Sequence, residues 1–152
     1  MKTLQYGSLL LICTLASMIS FSQAIPINEP DYNKAKLFQD LPDRLSLQVT
    51  SLQNLLNLQI GQAVNFQLTE NAELEGTVVS STIKYNAIQS IIIRLTNRAG
   101  ANFSFSKITQ PDNSIKFIGR IFSPQHSDGF ELSLENGQYF LVKKNFYDMV
   151  NE

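Results

Sequence analysis

From residue 63 to residue 144, apolar and polar side chains trade places at every second position. Asn, Asp, Pro or Gly interrupts the alternation at intervals of roughly 8–12 residues. Side chains on a strand point alternately to opposite faces, so this period describes sheet with one dry face and one wet face. Val64, Phe66 and Leu68 alternate with Asn65, Gln67 and Thr69. Leu74 to Tyr85 is rich in Val, Thr and Ile, whose branched side chains suit the pleat. Ile91, Ile93 and Leu95 oppose Ile92 and Arg94, and Ala101, Phe103 and Phe105 oppose Asn102, Ser104 and Ser106. Ile115, Phe117 and Ile121 are expected to face inward, away from Lys116 and Arg120. Phe130, Leu132 and Leu134 are expected inward too, with Glu131, Ser133 and Glu135 in water, and Gln138 to Lys144 returns as the last strand.

The connections carry their own chemistry. Tyr85-Asn86-Ala87, Asn97-Arg98-Ala99-Gly100 and Pro111-Asp112-Asn113 read as turns, and Ser123 to Gly129 as the longest loop of this half. Asn136-Gly137 is the strongest hairpin signal, because a type I′ turn needs positive φ at both centres. Seven short strands joined in this way predict a mainly β domain, a small antiparallel meander. It is expected to close as a barrel or fold into a two-layer sandwich, since an open sheet would leave its Phe and Ile face in water. Before the strands, Thr50-Ser51 is expected to cap one short helix with Leu52, Leu55 and Leu56 on its apolar face. After them, Asn145 is expected to cap a helical turn bearing Phe146, Met149 and Val150. The helices would plug the ends or cover an edge. One domain over 41–152 is the expectation, with no internal repeat.

The N-terminus speaks of address. Lys2 precedes an apolar run from Leu9 to Ile19, and Ser22-Gln23-Ala24 closes it with small and polar residues, the order of a secretory signal peptide. Thr14, Ser17 and Ser20 interrupt the run, which falls short of the roughly 20 apolar residues a membrane span needs. Cleavage after Ala24 is expected, placing the protein in the secreted, periplasmic or cell-envelope space. Residues 25–40, with Pro26, Pro30, Asn28 and Asp31, read as a flexible tether. Removing 24 of the 152 residues leaves 128, enough for one genuine core. Cys13 leaves with the leader, so the domain folds without disulfides, which leans towards a bacterial origin. Lys2 leaves too, and eleven basic residues then face thirteen acidic ones, giving no general attraction to nucleic acid or anionic membranes.

His126-Ser127-Asp128 sets three catalytic residue types in a row, but consecutive side chains diverge, whereas a triad needs its histidine between the other two. Pro124 and Gly129 explain the segment as a loop. With a single histidine and no retained cysteine, no zinc site of that kind is expected, and no cofactor. Glu73 and Glu75 flank Leu74, and Glu131 and Glu135 bracket Ser133. Paired carboxylates serve glycoside hydrolysis or bind calcium, yet these occupy the wet face and lack a calcium-loop pattern. Lys116, Arg120, Lys107, Arg94 and Arg98, interleaved with Ile92 and Ile118, are a candidate basic face for a ligand or protein. Asn102-Phe103-Ser104 matches a glycosylation sequon that matters only in a eukaryotic host.

A similarity runs through the strands. Gly61-Gln62-Ala63-Val64, Leu74-Glu75-Gly76-Thr77-Val78, Phe103-Ser104-Phe105, Gly119-Arg120-Ile121, Phe130-Glu131-Leu132 and Gly137-Gln138-Tyr139-Phe140-Leu141 resemble β modules that precede the catalytic domain in some exported bacterial metallopeptidases. The resemblance covers residues 41–144. No His-Glu-x-x-His follows, so it implies a freestanding module of prodomain or inhibitor type. It carries over no functional residue, because the matching positions are glycines and core apolar groups.

The expectation is therefore an exported, non-enzymatic domain that binds another exported protein. The least regular connections, the turn at 97–100 and the loop at 123–129, supply the candidate binding residues Arg98, Pro124, His126 and Asp128. A structural envelope component is the alternative, and a small hydrolase using Glu73 and Glu75 or His126 comes after it.

Overall fold

The computed structural model describes residues 33–69 and 72–150. The leader expected over 1–24 and residues 25–32 of the tether lie outside the described residues. Within them the chain runs β1 (Arg44–Leu47), α1 (Val49–Leu55), β2 (Ala63–Thr69), β3 (Ala72–Lys84), β4 (Ile88–Leu95), β5 (Asn102–Thr109), β6 (Ile115–Phe122), β7 (Asp128–Glu135), β8 (Gln138–Asn145) and α2 (Phe146–Val150). Among the described residues no helix is long and apolar enough to cross a membrane.

The strands form one antiparallel sheet in the order β1-β8-β7-β6-β5-β4-β3-β2, curled into a nearly closed barrel. From β2 to β8 each strand pairs with the next, the expected meander. Membership in a single sheet decides for the barrel over the sandwich. The hairpin turns behave as their residues demand: Tyr85 and Asn86 have φ of 52° and 54°, and Asn136 and Gly137 have 50° and 79°.

One strand goes beyond the expected seven. β1 is only four residues long, too short for a period to stand out, and its partner β8 lies far along the chain. Leu45 and Leu47 point inward, and Leu47 sits opposite Tyr139. The helix also differs from expectation. α1 begins at Val49 with Gln48 at its N-cap and no side-chain cap bond, so Thr50 and Ser51 are helical residues. Burial of Leu52, Leu55 and Leu56 in the core holds this short helix in place of a cap.

Inside the barrel the dry faces meet. Ile91, Ile93, Leu95, Ile121, Phe130 and Leu141 are buried around a row of aromatic rings. Phe66 meets Phe103 (6.3 Å between centroids), Phe103 meets Phe105 (5.8 Å), Phe105 stacks on Phe117 (5.6 Å), and Phe117 meets Tyr139 edge-on (5.5 Å). Each such pair adds about 0.5–1.5 kcal/mol beyond its buried area. Gly119 makes room for them, since a Cβ there would stand 3.2 Å from the Phe105 ring and 3.3 Å from the Phe103 ring.

Both barrel ends are closed. At one, Gln89 Nε2 donates to the Leu56 carbonyl (2.8 Å), tying the end of α1 to the start of β4. At the other, residues 34–43 cross as a strap. Phe38, in the stretch read as tether, is fully buried and meets Phe130 edge-on at 5.3 Å. α2 packs outside the wall, with Met149 buried and Phe146 against Phe122 (5.6 Å).

Candidate functional site

The barrel wall is split. β6 and β7 are each eight residues long, yet they pair only over Arg120↔Glu131, Ile121↔Phe130 and Phe122↔Gly129. Past Arg120 the strands diverge. Continuing the register would set Phe117 opposite Leu134, Ile118 opposite Ser133 and Lys116 opposite Glu135. Instead the Phe117 N–H, directed away from β5, donates to Tyr139 Oη at 3.1 Å. Tyr139 belongs to β8, so its side chain reaches beneath β7 to satisfy a main-chain group on β6. A buried N–H left without an acceptor costs about 1–3 kcal/mol, which the phenol avoids.

A groove of about 530 Å³ follows the split, lined by Ser104, Lys116, Ile118, Arg120, Glu131 and Leu134 among others. Two residues expected inward are corrected here. Leu134 is 53 % exposed where the dry face opens into the split, and Ile115 is 46 % exposed at the first position of β6. Ile118, on the outer face, is 43 % exposed. At the closed end of the groove Arg120 Nε donates to Glu131 Oε1 (3.0 Å) and its guanidinium reaches the Met149 carbonyl.

The four candidate binding residues come together elsewhere, around the strap. Asp128 is buried, and its two oxygens accept the N–H groups of Leu37 (2.6 Å) and Phe38 (3.1 Å). Arg98 grips Asp40 with both terminal nitrogens, at 2.7 and 2.5 Å, and donates to the Leu37 carbonyl at 3.3 Å. The Arg98 hydrogen bond holds the Asp40 carboxyl below its usual range. Pro124 offers its carbonyl to Lys34 Nζ (3.0 Å), and His126 Nδ1 lies 3.0 Å from Ser123 Oγ. Gly100 packs close to the side chains of Ser123 and Gln125, so the turn at 97–100 and the loop at 123–129 adjoin. What they grip is a segment of their own chain.

His126 and Asp128 therefore have separate partners, and the row His126-Ser127-Asp128 is part of the strap mooring. Of the acidic groups, Glu131 pairs with Arg120, and Glu135 pairs with Arg44 at 2.8 Å. Backbone groups of Glu73 and Glu75 bond the side chain of Asn97, which extends β3 where its pairing with β4 ends. The five basic residues do not share one face. Arg94, Lys116 and Arg120 lie outside, Lys107 pairs with inward Phe117, and Arg98 belongs to the strap. Among the described residues no three His, Cys, Asp or Glu side chains form a metal-binding group.

Sequence reasoning missed Tyr139 as a brace and Ile118 and Leu134 as groove walls. The one available signal was that β6 carries apolar residues on both parities near its divergent end, Ile118 against Ile115 and Phe117. No family model matches this chain, and no curated protein or solved structure is similar to it.

Proposed function

We propose that this chain is an exported, non-enzymatic binding domain that acts on another exported protein. The observation that carries the reading is the split between β6 and β7, which opens a groove of about 530 Å³ lined in part by exposed Ile118 and Leu134. Binding sites are typically concave and mostly apolar, with a few polar groups to orient the ligand. The barrel interior is filled by aromatic rings, so recognition falls to the wall. The sharper form, drawn from the resemblance of the strands, is a peptidase-associated inhibitory or prodomain-like module.

Affinity capture tests the reading. The domain is immobilised and exposed to envelope and secreted fractions of the producing cell. One stoichiometric protein is expected to be retained, and a peptidase whose activity falls on addition of the domain would establish the sharper form. Retention of nothing at micromolar domain concentration would overturn the reading.

A further inference from the structure

Resting on that reading, we infer that the split is a strand-accepting site for an extended, uncharged and apolar peptide segment, which adds to β6 opposite Phe117. Three observations converge on this ligand class. The first is main-chain chemistry. Phe117 N–H faces the split and is held by a phenol at 3.1 Å, in the place a neighbouring strand's carbonyl would fill. An added strand supplies that carbonyl, the mode by which sheet edges capture peptides.

The second is charge. Arg120 and Glu131 already neutralise each other at 3.0 Å across the closed end. At the next outward level Glu135 on β7 is already paired with Arg44 at 2.8 Å. A charged side chain inserted beside Arg120 and Glu131 would meet both signs, and so gains nothing over a neutral one. Between those levels stand Ile118 and Ser133. The third is apolar exposure, since Ile115, Ile118 and Leu134 line the divergent strands at 43 % exposure or more. Together they select a peptide of alternating small polar and branched apolar residues.

Tyr139 is then a place-holder. Its phenol satisfies Phe117 while the site is empty and must yield when a peptide carbonyl arrives. Removing the hydroxyl leaves Phe117 N–H without an acceptor in the empty state, so the peptide no longer competes with it.

The test uses the purified chain and a fluorescein-labelled hexapeptide, Thr-Val-Thr-Val-Thr-Val, followed by anisotropy and by amide chemical shifts. Saturable binding is expected, with the largest shifts at Phe117, Ile118 and Leu134. Ile118→Lys and Leu134→Lys, both at exposed positions, should each weaken it about tenfold or more. Tyr139→Phe should strengthen it about fivefold even though the fold is less stable, an effect a purely structural role does not produce. No saturable binding to the wild type or to Tyr139→Phe overturns the inference. So does binding that ignores both lysine variants. A dimer of the chain that Ile118→Lys dissolves, without peptide binding, would assign the groove to a second copy and overturn the peptide ligand. Capture of an exported protein that survives Ile118→Lys leaves the binding-domain reading standing and removes this site alone. Peptide binding with nothing captured does the reverse.

Discussion

The phenol of Tyr139 accepts the main-chain N–H of Phe117 at 3.1 Å while its ring meets the Phe117 ring edge-on, 5.5 Å between centroids. One side chain thus completes the backbone bonding of a strand two positions away in the sheet and extends the aromatic row of the core. Tyr139→Phe keeps the ring and removes the acceptor. It is expected to cost about 1–3 kcal/mol in urea unfolding, the penalty of one orphaned buried N–H.

Phe117 stands in the middle of that row, stacked on Phe105 and buried to 4 % exposure. Phe117→Ala should cost about 3–5 kcal/mol, because the cavity it leaves is bounded by rings that relax little. A loss below about 1 kcal/mol would show that the inward face of β6 is misassigned.

Asp128 is moored to the strap through two consecutive N–H groups. Asp128→Ala strands both donors at the barrel end and is expected to cost about 2–4 kcal/mol. Amide hydrogen exchange at Leu37 and Phe38 should rise by more than exchange at Ile93 or Phe103. Equal loss of protection at all four would mean that the strap does not open separately from the barrel.

Acid should loosen the same mooring from its other side. Arg98 depresses the pKa of Asp40, so Asp40 binds fewer protons in the folded state than in the unfolded state near pH 4. The contribution is fully present above the unfolded pKa, about 4, and is lost as pH falls through the lower folded value. Asp40 is 58 % exposed, so solvent screens the pair and its size stays under about 1 kcal/mol. Asp40→Asn should flatten the acid limb of the stability curve below about pH 4 and leave the neutral plateau lower. An unchanged acid limb would count against the pair.

Gly129 is required by close approach. A Cβ there would come within 2.5 Å of both the Ile121 carbonyl oxygen and the Met149 methyl. Met149 can swing aside, but a ladder carbonyl cannot without disturbing β6. Gly129→Ala should cost about 1–3 kcal/mol in thermal or urea unfolding and release α2 from the wall.

Much of this molecule was legible because its dry face is repeated so regularly. Val64, Ile93, Phe103 and Phe130 each fall inward where a period of two puts them, and Asn136-Gly137 turns as its positive φ values require. β1 escaped notice because four residues are too few to show a period, and its partner β8 is remote in sequence. The strap escaped because Leu37, Phe38 and Leu41 sustain no period; only Asp128 and Phe130, some 90 positions on, show why Phe38 is buried. The split was illegible for a different reason. The residues of β6 and β7 are complementary in the register that would have zipped them, Lys116 towards Glu135 and Phe117 towards Leu134. Only the outward Ile118 marks the place where they part.

The pairing of β1 with β8 also sets a timetable. A chain made from its N-terminus exposes Phe38, Leu45 and Leu47 long before Asp128, Phe130 and Leu141 exist to receive them. The meander from β2 onward forms by neighbouring hairpins, each joining strands as soon as the second appears. The strap and β1 must wait for almost the whole chain, since their contacts with β7 and β8 span 90 positions or more. Contacts so distant in sequence are slow to form. Closure of the barrel is therefore the final act of its synthesis, and a chain cut short before β7 would leave the first strand unpaired and the strap without its Asp128 mooring.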